Sequence, residues 1–110
     1  MTSFFESWKQ ARRVEAPSQT FAEGLATRAP IDMPQAILRR DLDDFVLVSE
    51  DELRAAMRLT IEKTRNLAEA AGAAALAAAC QLSDRLRGKR VALIMSGGNV
   101  TLAGLKELLA

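Results

Sequence analysis

The sequence predicts an α/β protein: an open, mostly parallel sheet flanked by helices, with few of the strands in this chain. Three observations predict it. The run Val91-Ala-Leu-Ile-Met95 is continuously apolar rather than alternating, the pattern of a strand buried on both faces. Ser96-Gly-Gly-Asn99 follows it directly as a turn. The last fifty residues then read helix, helix, strand, glycine turn, helix, an order that belongs to open α/β architecture. Only two strands are legible, so the rest of such a sheet is expected on other polypeptide, and residues 1–110 are read as a single unit.

The elements follow in order from their start signals. Ser3 and Glu6 have the spacing of a capping box, in which each side chain satisfies a backbone N–H that the helix leaves free. A short helix is expected from Phe4 to about Arg13, with Phe4, Phe5, Trp8 and Ala11 near one face. A helix of this length is not stable alone in water, so that face must dock. Pro17 and Ser18 mark a break. Thr20 and Glu23 repeat the box spacing ahead of Gly24, where the chain can bend. Met33 to Arg40 reads as a short helix after Pro30. Phe45-Val-Leu-Val48 reads as a strand. Ser49 and Glu52 form a third box, and Leu53, Ala56, Met57, Thr60, Ile61 and Thr64 follow helical spacing behind it. Leu67 to Leu86 reads as a long helix, almost solid alanine in its middle. Gly88 suits the position just past a helix end. Thr101 is expected to cap a last helix that runs to Leu109.

Composition excludes several classes of function. Apolar residues make up 49% of the 110, enough for a packed core. Fifteen basic residues stand against 14 acidic ones, a net charge of +1. That balance argues against a nucleic-acid or anionic-membrane partner, which calls for a basic surplus. There is no histidine and one cysteine, Cys80. Disulfide scaffolds, Cys/His zinc sites and histidine-dependent nucleophilic catalysis are therefore out, and no metal site is expected. No apolar run is long enough to cross a bilayer, and the N-terminus lacks the pattern of a secretory signal. A cytoplasmic protein is the expectation.

Chemistry is expected at Ser96-Gly97-Gly98-Asn99. Ligands of open α/β sheets bind beyond the carboxyl ends of strands. Glycines there let backbone N–H groups approach a ligand, and a serine hydroxyl suits a neutral aromatic nitrogen. The same tetrapeptide also reads as a plain turn in which Asn99 and Thr101 cap the next helix. Glu69, near the start of the alanine-rich helix, is favoured there by the helix dipole alone. Asp43-Asp44 reads as a solvated turn and Cys80 as packing. Lys9, Lys63, Lys89 and Lys106 lie on charged stretches that would not desolvate an amine into a nucleophile.

Several segments together resemble one family. Val91-Ala-Leu-Ile-Met-Ser-Gly-Gly-Asn-Val100 is similar to the last core strand and loop of pyridoxal-phosphate enzymes of the tryptophan-synthase-β fold type, in the threonine dehydratase and serine racemase branch. Thr20-Phe-Ala-Glu-Gly-Leu-Ala26, Asp43-Asp-Phe-Val-Leu-Val-Ser-Glu-Asp-Glu52 and Asn66-Leu-Ala-Glu-Ala-Ala-Gly-Ala-Ala-Ala-Leu76 resemble further segments of that branch, in the same order. Ser7-Trp-Lys-Gln-Ala-Arg12 resembles an upstream helix, with Ala11 where the family often has glycine, and Ala70 stands where a proline usually follows the family's glutamate.

The resemblance implies a C-terminal segment of the large, cofactor-binding domain. It implies pyridoxal 5'-phosphate as cofactor and an amino acid as substrate, with β-elimination to a 2-keto acid and ammonia. It assigns Ser96 to the cofactor's ring nitrogen and Gly97 and Gly98 to its edge. Gly24 and Glu69 are placed near the ring and the active-site rim. The family's Schiff-base lysine, asparagine loop and glycine-rich phosphate loop have no counterpart in these 110 residues. The segment is thus expected to be inactive alone, and to form a homo-oligomer or dock on the rest of such an enzyme. A racemase parent and a non-catalytic interaction module are the alternatives.

Overall fold

The computed structural model describes residues 2–110. Its helices are α1 (Thr2–Gln10), α2 (Asp32–Asp41), α3 (Glu50–Thr64), α4 (Ala70–Gln81), α5 (Ser83–Leu86) and α6 (Leu102–Leu109), with one 3₁₀ turn at Glu23–Leu25. The chain divides into two compact units, Met1–Leu47 and Val48–Ala110.

In the first unit α1 packs on α2. Phe4 is buried, while Phe5 and Trp8 turn their rings to Phe45 at centroid distances of 5.6 and 6.0 Å. Phe4, Phe5 and Trp8 thus form the docking face expected of this short helix, but the helix ends at Gln10 rather than near Arg13, and Ala11 lies past its end and is exposed. Polar groups finish the join: Gln35 Nε2 donates to the Phe4 carbonyl at 3.0 Å, and Arg39 donates to the Ser7 carbonyl at 3.2 Å. The helix starts at Thr2, so Ser3 lies inside it and forms no capping box. Its hydroxyl donates instead to the Thr27 carbonyl at 2.8 Å. Ser7 Oγ donates to the Val14 carbonyl and accepts from the Val14 N–H. These bonds pin the segments that follow back onto the helix. Thr20 likewise forms no box; its hydroxyl accepts from the Ala22 N–H at 3.1 Å. Ala11 has a φ of 52°, a left-handed conformation that costs a residue with a Cβ roughly 1 kcal/mol. The backbone there asks for glycine, and this chain tolerates alanine.

In the second unit α3 packs along α4, and α6 lies on α3. The box at Ser49 and Glu52 is complete: the Ser49 hydroxyl accepts from the Glu52 N–H and the Glu52 carboxylate accepts from the Ser49 N–H. The bond from the Ser49 backbone holds the Glu52 carboxyl below its usual range. Leu53, Ala56, Met57 and Thr60 are the buried face of α3. The buried residues of its partner α4 are Ala70, Gly72, Ala73 and Ala77. Small side chains on one helix let the two backbones come close. The Arg58 guanidinium donates to the Leu108 carbonyl at 2.7 Å, tying α6 down. Thr101, not Asn99, caps α6 by accepting from the Gly104 N–H at 3.0 Å. Gly88 has a φ of +75°, as a residue past a helix end requires.

Two expectations are corrected. The alanine-rich helix begins at Ala70 rather than Leu67 and breaks at Leu82, so one expected helix is two. No strand forms among the described residues. Phe45–Val48 and Val91–Met95 carry no regular secondary structure. Val91, Leu93, Ile94 and Met95 are exposed, Ile94 by 74%. A strand exists only by hydrogen-bonding a neighbour, and no described segment pairs with either run. The apolar continuity of Val91–Met95 records a demand for burial on both faces that this chain does not meet by itself.

Candidate functional site

Of the five residues assigned to a cofactor, Ser96, Gly97, Gly98 and Glu69 lie in the second unit, and two of these are joined directly. The Glu69 N–H donates to the Gly97 carbonyl at 3.0 Å. Glu69 is the residue that opens α4, and no side chain caps that helix. The loop after Val91–Met95 is thereby stitched to the start of α4.

Contact between the two segments is tight enough to call for glycine at positions 98 and 72. A Cβ on Gly97 would overlap the Glu69 carboxylate, and a Cβ on Gly98 would lie 2.6 Å from the Leu67 carbonyl oxygen. Real Cβ atoms do not come so close to backbone. On the other side, a Cβ on Gly72 would lie 2.5 Å from the Gly97 oxygen and 3.0 Å from its nitrogen. Gly98 and Gly72 thus have a packing reason in backbone, whereas at Gly97 the obstacle is the flexible end of the Glu69 side chain. Gly72 was not among the residues picked from the sequence. Its signal was there: one glycine in an unbroken run of alanines.

Ser96 is exposed, and no described residue hydrogen-bonds its hydroxyl. Gly97 is half-buried, Gly98 exposed and Glu69 half-buried. Gly24 sits in the 3₁₀ turn of the first unit, exposed. The four lysines are all exposed; Lys63 pairs with Glu62 at 2.6 Å and Lys9 lies over the Phe5 ring. None is a desolvated amine. No group of acidic or cysteine side chains among the described residues is arranged to hold a metal ion, and Cys80 is exposed rather than packed. No described helix is long and apolar enough to cross a membrane.

The exposed Ser96 hydroxyl, which bonds no described residue, heads a glycine loop tied to the start of α4. Comparison with known proteins decides what kind of chain offers it. Residues 1–97 match the family model described as pyridoxal-phosphate dependent enzyme. The chain belongs to that family. It is 36% identical over 91 residues to the L-threonine ammonia-lyase of Thermotoga maritima, covering 83% of this chain and 22% of that protein. To the serine racemase of Dictyostelium discoideum it is 35% identical over 92 residues, 82% of this chain and 28% of that protein. Among solved structures, a threonine deaminase from T.th. superposes with a TM-score of 0.81 at 35% identity, over 91% of this chain and 37% of that one. Threonine deaminase isoform 2 of Solanum lycopersicum gives 0.86 at 28% identity, over 96% of this chain and 32% of that one. These structural neighbours make the fold family of this pyridoxal-phosphate dependent segment α/β, although its own described residues form helices only. It spans between 22% and 37% of the length of these four proteins.

The residues present fit one edge of that cofactor. An exposed hydroxyl with no internal partner suits a neutral ring nitrogen. A half-buried carboxylate and two glycines stand beside it.

Proposed function

We propose that this chain is the C-terminal segment of the large cofactor-binding domain of a pyridoxal-phosphate-dependent threonine/serine dehydratase. Such an enzyme eliminates water from a 3-hydroxy amino acid to leave an enamine, whose imine tautomer is hydrolysed by a water molecule to a 2-keto acid and ammonia. The observation that carries the reading is the seated loop: Ser96 leads a glycine pair fixed on the start of α4 by the Glu69–Gly97 hydrogen bond. Identities of 36% and 35% to an L-threonine ammonia-lyase and a serine racemase support the substrate class.

In the complete enzyme the cofactor supplies an electron sink that loosens the substrate's Cα–H bond and lets the β-hydroxyl leave. Ser96 donates a hydrogen bond to the ring nitrogen. A neutral hydroxyl does not protonate that nitrogen as a carboxylic acid would, and this moderates the sink. Gly97 and Gly98 keep the loop backbone low enough for the ring edge to approach. Glu69 belongs to the rim, and Gly24 is assigned near the ring by the resemblance of its segment alone. Val91–Met95 becomes an interior strand of the parallel sheet, flanked by strands from the rest of the enzyme, and that strand aims Ser96. The enzyme is cytoplasmic and homo-oligomeric in this reading.

The test is an assay of L-threonine and L-serine with pyridoxal phosphate. The 110-residue chain alone should release no keto acid, because it has no desolvated lysine. The enzyme that carries this segment should release keto acid and ammonia in equal amounts. Keto acid from the chain alone contradicts the reading. Exchange of the Cα proton with inversion but no keto acid points to the racemase instead, which the 35% identical serine racemase keeps in view.

A further inference from the structure

A glycine inside a helix costs about 0.5–1 kcal/mol relative to alanine. Gly72 interrupts an otherwise unbroken alanine run at the start of α4, so something must offset that cost. The space where its Cβ would sit is filled by Gly97 backbone, with the oxygen 2.5 Å away and the nitrogen 3.0 Å away. Backbone cannot swing aside as a flexible side-chain end can. One hydrogen bond holds the same loop, from the Glu69 N–H to the Gly97 carbonyl at 3.0 Å, and Gly98 runs so close to the Leu67 carbonyl that a Cβ there would lie 2.6 Å from its oxygen.

We propose that Gly72 is a positioning residue for Ser96. It leaves a notch in the first turn of α4 into which the Gly97 peptide fits, and the Glu69–Gly97 bond forms only when that peptide is fully seated. Its consequence for catalysis rests on the reading of Ser96 given above; the seat itself does not. The sign of the substitution distinguishes this from ordinary helix chemistry. Elsewhere in an alanine helix, Gly→Ala would stabilise. At this site the added methyl must lift the loop.

The test is amide NMR and hydrogen exchange on the 110-residue chain. Gly72→Ala should move the Ser96, Gly97 and Gly98 amide resonances. It should also speed exchange at the Glu69 amide by roughly tenfold, the loss of one hydrogen bond, while Leu53 and Met57 in α3 keep their protection. Should Gly72→Ala not fold, Gly98→Ala serves in its place. It presses on the Leu67 carbonyl from outside α4, and the same amides should respond. A merely structural role would lower protection across α3 and α4 together. That result, or unchanged Ser96–Gly98 resonances, overturns the proposal. Ser96→Ala is the separate control: it leaves the Glu69–Gly97 bond intact, so an unaltered cofactor site in that variant sinks the reading of Ser96 without touching the seat.

Discussion

Ile94→Lys should leave the isolated chain folded and abolish folding of the enzyme that carries it. In the chain alone Ile94 is 74% exposed, and surface substitutions away from special features change stability by about 0.5 kcal/mol or less. In the proposed sheet the same side chain lies between strands and helices. An unpaired ammonium there carries a desolvation cost of several kcal/mol, comparable to the whole stability of a domain. Circular dichroism melts of the chain should be unchanged, and the yield of soluble enzyme should collapse. Equal tolerance in both contexts would mean that Val91–Met95 is a surface loop in both.

Leu53→Ala should have the largest effect on the isolated chain. Leu53 is 3% exposed, and it belongs to the helix that packs on α4, where Ala73 and Ala77 are 1% and 2% exposed. Alanines cannot reach into the hole that the substitution leaves. Leucine-to-alanine changes in such cores cost about 2–5 kcal/mol. A unit as short as Val48–Ala110 holds only about 3–9 kcal/mol at typical stabilities per residue. Urea denaturation should show most of its stability gone. A shift of the midpoint equivalent to less than about 1 kcal/mol would show that α3 and α4 are not held by this contact.

What was legible in the sequence was what the chain determines locally. The Ser49–Glu52 box, the Thr101 cap and the left-handed Gly88 each depend on a few neighbouring residues, and each stands where its signal put it. The apolar face of α3 was legible for the same reason. Ser3 and Thr20 had the right spacing for boxes, but other partners took their hydroxyls: Thr27, 24 residues away, for Ser3, and a local turn for Thr20. The strands failed because pairing is not a local property. Val91–Met95 has the composition of an interior strand, yet no described segment offers it a ladder. At the candidate site, Ser96, Gly97, Gly98, Gly24 and Glu69 were singled out as candidates through the resemblance of their motifs. Gly72 was not, because its reason is the backbone of Gly97, far along the chain.

The most direct measurement of the central claim is cofactor affinity in the enzyme carrying this segment, wild type against Ser96→Ala. If the hydroxyl holds the ring nitrogen, the variant loses one hydrogen bond, and pyridoxal phosphate should dissociate roughly two- to tenfold more readily, with a shifted cofactor absorbance band. Identical affinity and an identical band would contradict the account.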